Sequence, residues 1–219
     1  MKLHFRYASV VNLVFIFLPC LSIAQSYQYA LDLNQVEKDR LWVEVVLPPQ
    51  REESVLFHFP RTIPGTYSRQ DYGRYISKLE ALDAEGNPLP VKKKGKNSYL
   101  LQDARQTKKL RYRVSDTFDA KTRQDKVFEP AGTNIEAGQC FVLNAGGFFG
   151  FLDGQEGLPF ELSINKPADL YGSTALATTR YQPEQQTFIA KNYQALQDAP
   201  IMFAPADTVS FYLANARIE

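Results

Sequence analysis

The chain has 219 residues, 25 of them basic and 24 acidic, for a formal charge of +1 at neutral pH. A polyanionic partner usually demands a clear basic excess, so nucleic acid is not an expected partner. Aromatic residues make up 13% of the chain and no long polar tract appears, which excludes a disordered chain and indicates a packed globule.

Residues 1–24 read as a cleaved signal peptide. Lys2 and Arg6 give a positive start, Val10 to Leu18 is an apolar run broken only by Asn12, and Ser22-Ile23-Ala24 ends it. Charge, apolar run and small-x-small is the secretory order, and it makes Gln25 the new N-terminus. The run is shorter than the roughly 20 residues a bilayer span needs, so stable membrane insertion after cleavage is not expected. Lipid attachment at Cys20 is not expected either, because Pro19 stands where a small residue is required. The expected location is outside the cytoplasm, periplasmic or extracellular.

Cleavage removes two basic residues and leaves 23 against 24 acidic. The remainder keeps one cysteine, Cys140, and one histidine, His58. A single cysteine makes no internal disulfide. Flanked by Phe141, Val142 and Leu143, it reads as a buried, inert thiol.

Period-two alternation then dominates, the mark of strands with one buried and one wet face. The odd positions of Tyr27 to Leu33, Leu41 to Leu47 and Val55 to Phe59 are apolar. Leu110, Tyr112 and Val114 alternate with Arg111, Arg113 and Ser115, and Phe160, Leu162 and Ile164 do the same with polar neighbours. Pro48-Pro49, Pro64-Gly65, Gly86-Asn87-Pro88, Gly95-Lys96-Asn97 and Pro183-Glu184 punctuate these runs as turns. Many short strands between such turns predict an all-β, antiparallel β-sandwich. Only Tyr193 to Leu196 reads as a turn of helix. Val209, Phe211 and Leu213 alternate in a last strand near the C-terminus. Lys92 to Lys96 reads as a solvated basic turn.

The chemistry is sparse. A zinc site needs three or four ligands, usually with His or Cys among them. One His and one distant Cys supply no such set, and no His-Glu-x-x-His occurs. A Ser-His-Asp arrangement would have to use His58, yet no Gly-x-Ser-x-Gly marks a partner serine. His58 therefore reads as an exposed strand residue opposite Val55, Phe57 and Phe59. Asp116, Asp119 and Asp125 lack the glycine and glutamate of a calcium loop and read as a solvated loop.

Asn144-Ala145-Gly146-Gly147-Phe148-Phe149-Gly150-Phe151 stands apart. It lacks the Lys-Ser/Thr of a phosphate loop and the spacing of a dinucleotide fingerprint. Either its phenylalanines fold back into the core, or they form an apolar patch for a partner. Phe57, Phe59, Tyr112 and Phe160 already supply the core, so Phe148, Phe149 and Phe151 read as surplus and the segment as a docking or cleft loop.

Several segments together resemble the glycyl aminopeptidase family. Phe59 to Ile76 contains Pro64-Gly65-Thr66-Tyr67, similar to that family's Pro-Gly-x-Tyr signature. Tyr112 to Asp119, Phe128 to Asn134, Phe141 to Asn144 with the loop that follows, and Lys166 to Gly172 match in order. Leu196-Gln197-Asp198-Ala199-Pro200-Ile201 looks like the family's Leu-x-Asp-x-Pro-Ile. The position two residues before Pro-Gly, a Trp in many members, is Thr62 here.

The resemblance covers Tyr27 to the end. It implies an N-terminal β-sandwich that precedes a thermolysin-like zinc domain. The expected organisation is a signal peptide at 1–24, the sandwich at 25–205, and a final strand at 206–219 leading to a catalytic domain absent from the sequence. This chain is then expected to be non-catalytic and to carry no cofactor, with zinc in the catalytic domain. Its partners would be that domain and, through it, a peptide substrate. Asn144 would reach toward the substrate cleft. The alternative is a free-standing exported β-sandwich that binds a ligand or another protein.

Overall fold

The computed structural model describes residues 25–66, 68–119, 127–207, 210–214 and 216–218. The expected signal peptide with Cys20, the signature residue Tyr67, and Asp125 lie outside the described residues. In chain order the first strands are β1 (Tyr27–Asp32), β2 (Arg40–Val46), β3 (Val55–His58), β4 (Ile76–Leu82), β5 (Pro88–Leu89), β6 (Val91–Lys94), β7 (Ser98–Leu101) and β8 (Lys109–Ser115). There follow β9 (Asn134–Glu136), β10 (Cys140–Leu143), α1 (Ala145–Phe148), β11 (Phe151–Leu152), β12 (Phe160–Asn165), β13 (Leu170–Ser173) and β14 (Ala177–Gln182). The last elements are β15 (Gln185–Ala190), α2 (Tyr193–Gln197), β16 (Ile201–Pro205), β17 (Phe211–Leu213) and β18 (Ala216–Ile218).

The strands form an eight-stranded sheet in the order β14-β15-β12-β1-β2-β8-β4-β5 and two four-stranded sheets, β13-β16-β10-β9 and β11-β3-β7-β6. A separate hairpin joins β17 to β18. One buried cluster draws residues from all three larger sheets and both helices, an arrangement that a sandwich fits. The alternation read from the sequence is the reason. Tyr27, Tyr29 and Leu31 of β1 face the core, as do Leu41, Val43 and Val45 of β2 and Leu110, Tyr112 and Val114 of β8. Register aligns them, so that Ile164, Leu31, Val43 and Tyr112 form one row across four strands.

Among the described residues the pairings are antiparallel with one exception. β1 lies parallel to β12, Tyr27 beside Phe160. Parallel neighbours need a long crossover, and here almost the whole chain between them serves as one. Alternation sets which face is buried, not strand direction, so this pair was not legible in the sequence.

Three further expectations change. Cys140 is half-buried on the outward face of β10, while Phe141 beside it turns inward. His58 is half-buried rather than exposed. Phe211 and Leu213 alternate as expected, yet both are exposed, at 56% and 64%. Alternation there reflects a hairpin that is not packed on the core.

Candidate functional site

The Pro64-Gly65 segment is a tight turn. The Thr66 amide donates to the Ile63 carbonyl at 3.4 Å and Gly65 has φ +85°. Pro at the second position and a left-handed Gly at the third define a type II turn. The Thr66 hydroxyl also donates to Ile63 O, at 2.9 Å. The ends of the surrounding loop are tied together. Arg61 O accepts from the amides of Gln70 and Asp71 at 2.8 and 2.9 Å, and Pro60 O accepts from the Tyr72 amide at 3.2 Å.

Asp71 anchors this loop to the β6–β7 turn. It is 6% exposed and has a left-handed φ of 53°. Its Oδ1 accepts from Asn97 Nδ2 at 2.8 Å and Arg69 Nε at 3.1 Å, and Lys96 Nζ lies 3.5 Å from Oδ2. The Asn97 hydrogen bond, with the positive charges of Arg69 and Lys96, lowers its pKa to about 2. Asn97 Oδ1 in turn accepts from the Gly73 amide at 3.0 Å. Asp71 and Asn97 were not singled out from the sequence, because no local spacing marks a contact between two separate loops.

The Asn144 segment is a short turn of helix, not an open loop. Asn144 is 4% exposed, Phe148 and Phe149 are 0% and 1% exposed, and Phe151 is half-buried. The expectation that Phe148 and Phe149 are surplus is thus corrected: both belong to the core. Three buried tyrosines explain why the backbone is buried with them. Tyr112 donates to Phe148 O at 2.6 Å, Tyr193 to Phe149 O at 2.8 Å and Tyr29 to Gly150 O at 2.7 Å. These hydroxyls satisfy three successive carbonyls in an otherwise apolar interior. Gly146 and Gly147 are needed for close approach. A Cβ on Gly146 would lie 2.7 Å from Ile63 Cγ2, and one on Gly147 2.6 Å from Thr133 Oγ1.

These contacts bring distant motifs to one place. A cavity of about 320 Å³ lies between Ile63–Thr66, Phe128, Pro130 and Ala131, Asn144, and the end of α2 with Pro200. Pro64, Gly65 and Asn144, all read from the sequence as site residues, line it. Gly146 and Gly147 sit behind it as packing residues, and Phe148, Phe149 and Phe151 do not line it. The Asn144 amide is held by a long hydrogen bond from Nδ2 to Pro130 O, at 3.3 Å. Its Oδ1 is buried and has no hydrogen-bond partner among the described residues.

Two other groupings have less to offer. Ser98 Oγ lies 2.8 Å from His58 Nδ1, and Asp153 Oδ1 lies 3.5 Å from Nε2. Ser98 faces His58 across the β3–β7 register, and Asp153 is 67% exposed. This is a cross-strand hydrogen-bonded pair with a solvated carboxylate beside it. Asp116 is half-buried, not solvated, and accepts from the amides of Phe118 and Asp119 at 2.6 and 3.1 Å. Among the described residues no group of three or more His, Cys, Asp or Glu could hold a metal ion.

The sequence profile of the peptidase M61 N-terminal domain matches residues 28–205. The chain belongs to that family. The match runs from β1 through β16 and includes every segment that lines the cavity. No curated protein matches the chain. Among solved structures, this M61 N-terminal domain is similar to an aminopeptidase N family protein from Idiomarina loihiensis. The two are 22% identical with a TM-score of 0.71, over 87% of this chain and 31% of that one. It is also similar to an M1 zinc metallopeptidase from Deinococcus radiodurans, an E323A mutant bound to a Tyr-Ser-Ala substrate. That match is 13% identical with a TM-score of 0.50, over 89% of this chain and 46% of that one. The chain therefore spans less than half the length of either structure, and the likeness is one of fold.

Proposed function

We propose that this chain is the N-terminal domain of an exported zinc aminopeptidase, where it scaffolds the catalytic domain and borders the peptide-binding cleft. The observation that carries this reading is the match to the M61 N-terminal domain over residues 28–205. The similar structures are themselves described as an aminopeptidase and a zinc metallopeptidase. Zinc then belongs to the catalytic domain, and this chain contributes shape rather than reacting groups. Docking passes from the buried Phe148 and Phe149 to the exposed Phe128 and Met202, at 56% and 47%; Phe128 lines the cavity, and Met202 lines the neighbouring cleft that shares Pro130 and Pro200 with it. Large exposed apolar groups beside a cleft suit an interface with the catalytic domain of the same polypeptide.

The test compares this chain with the longer polypeptide that carries a catalytic domain. The longer protein is expected to retain stoichiometric zinc through gel filtration and to hydrolyse glycyl or alanyl anilides, with inhibition by chelator. This chain alone is expected to do neither, and zinc-dependent hydrolysis by it would overturn the reading. Mass spectrometry of the exported protein is expected to find Gln25 at its N-terminus.

A further inference from the structure

We propose that a cleft on the outer face of the large sheet, beside Trp42, binds a neutral saccharide. The cleft has a volume of about 370 Å³ and shares no lining residue with the Asn144 cavity, so the proposal does not rest on the peptidase reading. Strand register builds it. Ala30 of β1 lies between Glu44 of β2 and Ser163 of β12, and Glu44 lies beside Arg111 of β8. Two residues along these strands, on the same face, stand Asp32, Trp42 and Asn165. Ala30 is small and exposed, so its methyl forms a low apolar floor between polar walls.

The walls offer hydrogen-bonding atoms that are unused and within reach. Trp42 Nε1 and Ser163 Oγ have no hydrogen-bond partner among the described residues, and unlike Arg111 Nε neither is shut off from solvent. The Arg111 guanidinium lies 4.0 Å from the Trp42 ring centroid, with Nε 3.6 Å from Glu44 Oε1, and its side chain is 41% exposed. Those contacts hold its plane in advance, which lowers the ordering cost of binding. Gln185 Nε2 donates to Asn165 Oδ1 at 3.0 Å, which leaves the Asn165 Nδ2 as a donor. Gln35 Nε2 donates to Asp32 Oδ2 at 2.9 Å, which leaves the Gln35 Oε1 as an acceptor. Neither carboxylate calls for a cation. Glu44 is paired with Lys109 at 2.9 Å as well as with Arg111, and Asp32 also accepts from Asn34. The same two carboxylates disfavour an anion. The lining therefore suits an uncharged ligand that both donates and accepts, as a hydroxyl does. A sugar ring carries hydroxyls around its rim and C–H groups on its faces, which matches polar walls around a methyl floor. An extended peptide strings its amides along a line and has no such rim. At about 370 Å³ the cleft is at the lower end of ligand sites and suits a short saccharide.

Trp42 is the only tryptophan of the chain, so its fluorescence reports on the cleft directly. The probes are the methyl glycosides of glucose, galactose, mannose and N-acetylglucosamine, titrated into the chain. At least one is expected to give a saturable change with a midpoint of about 10 mM or lower. The uronate counterpart of the sugar that binds is expected to bind at least about fivefold more weakly, because Asp32 and Glu44 line the cleft. Ser163→Ala and Asn165→Ala are each expected to weaken binding about fivefold, the equivalent of one hydrogen bond. Ala30→Leu fills the floor and is expected to abolish binding, with circular dichroism reporting an intact fold. No saturable change with any of the four sugars would overturn the proposal without recourse to a variant. So would a uronate that binds as tightly as its parent, or affinity unchanged in both Ser163→Ala and Asn165→Ala. Binding that survives in a folded Ala30→Leu would place the sugar elsewhere and overturn it as well.

Discussion

Tyr112 donates its hydroxyl to the carbonyl of Phe148 at 2.6 Å, in a part of the molecule where both residues are fully buried. One strand of the large sheet thereby holds the turn that presents Asn144. Tyr112→Phe removes the donor and leaves the carbonyl buried and unmatched. The expected loss is about 1–3 kcal/mol. Urea denaturation is the measurement, and an unchanged midpoint would show that the carbonyl finds another partner.

The same tyrosines set an alkaline limit. Burial pushes the hydroxyls of Tyr29, Tyr112 and Tyr193 up from the ordinary 10.0. A group whose pKa is higher in the folded state gives stability that is fully present below its unfolded pKa. That stability is lost as pH rises beyond it, because the unfolded chain ionises first. The domain is therefore expected to lose stability above about pH 10. Phenolate absorbance of these residues should appear together with loss of the folded circular dichroism signal. Their ionisation in a fully folded protein near pH 10 would contradict the buried placement.

Much of the large sheet was legible because alternation reports a buried face directly. β1, β2, β3, β8 and β12 fall within a residue or two of the runs that predict them. The Gly-Phe segment was legible only as unusual. Counting aromatics along the chain does not show how much volume a three-sheet core must fill, so Phe148 and Phe149 looked surplus. Nor does it show hydroxyls arriving from β1, β8 and α2. Pro64, Gly65 and Asn144 were identified, but their meeting at one cavity depends on contacts between distant loops. Replacing Phe148 and Phe149 by Ser decides between core and docking roles. Each is expected to cost about 3–5 kcal/mol in the isolated chain, and a folded, more soluble double variant would restore the docking role.

Close packing behind the cavity gives a more local test. Gly146→Ala places a methyl 2.7 Å from Ile63 Cγ2, so one side must move. Overpacking of this kind typically costs about 1–3 kcal/mol. Ile63→Leu removes the branched methyl and is expected to recover part of the loss. A double-mutant cycle measures that coupling, and strictly additive effects would mean that the strain is relieved elsewhere.

Asp71 provides the acid counterpart. Its pKa is lowered to about 2, first by the hydrogen bond from Asn97 and then by Arg69 and Lys96. A carboxyl depressed in the folded state contributes stability that is present above its ordinary 3.8 and lost as pH falls toward about 2. Asp71→Asn is the appropriate substitution because Asn tolerates the left-handed backbone at φ 53°. It also keeps an oxygen for Asn97 while it removes the charge. The expected loss at neutral pH is about 1 kcal/mol, less than the full shift implies, because Arg69 and Lys96 are exposed and screened by solvent. Denaturation midpoints of the two proteins should differ at pH 7 and converge as the pH approaches 2. A gap that stays constant across this range would mean that the charge of Asp71 is not what ties the signature loop to the Asn97 turn.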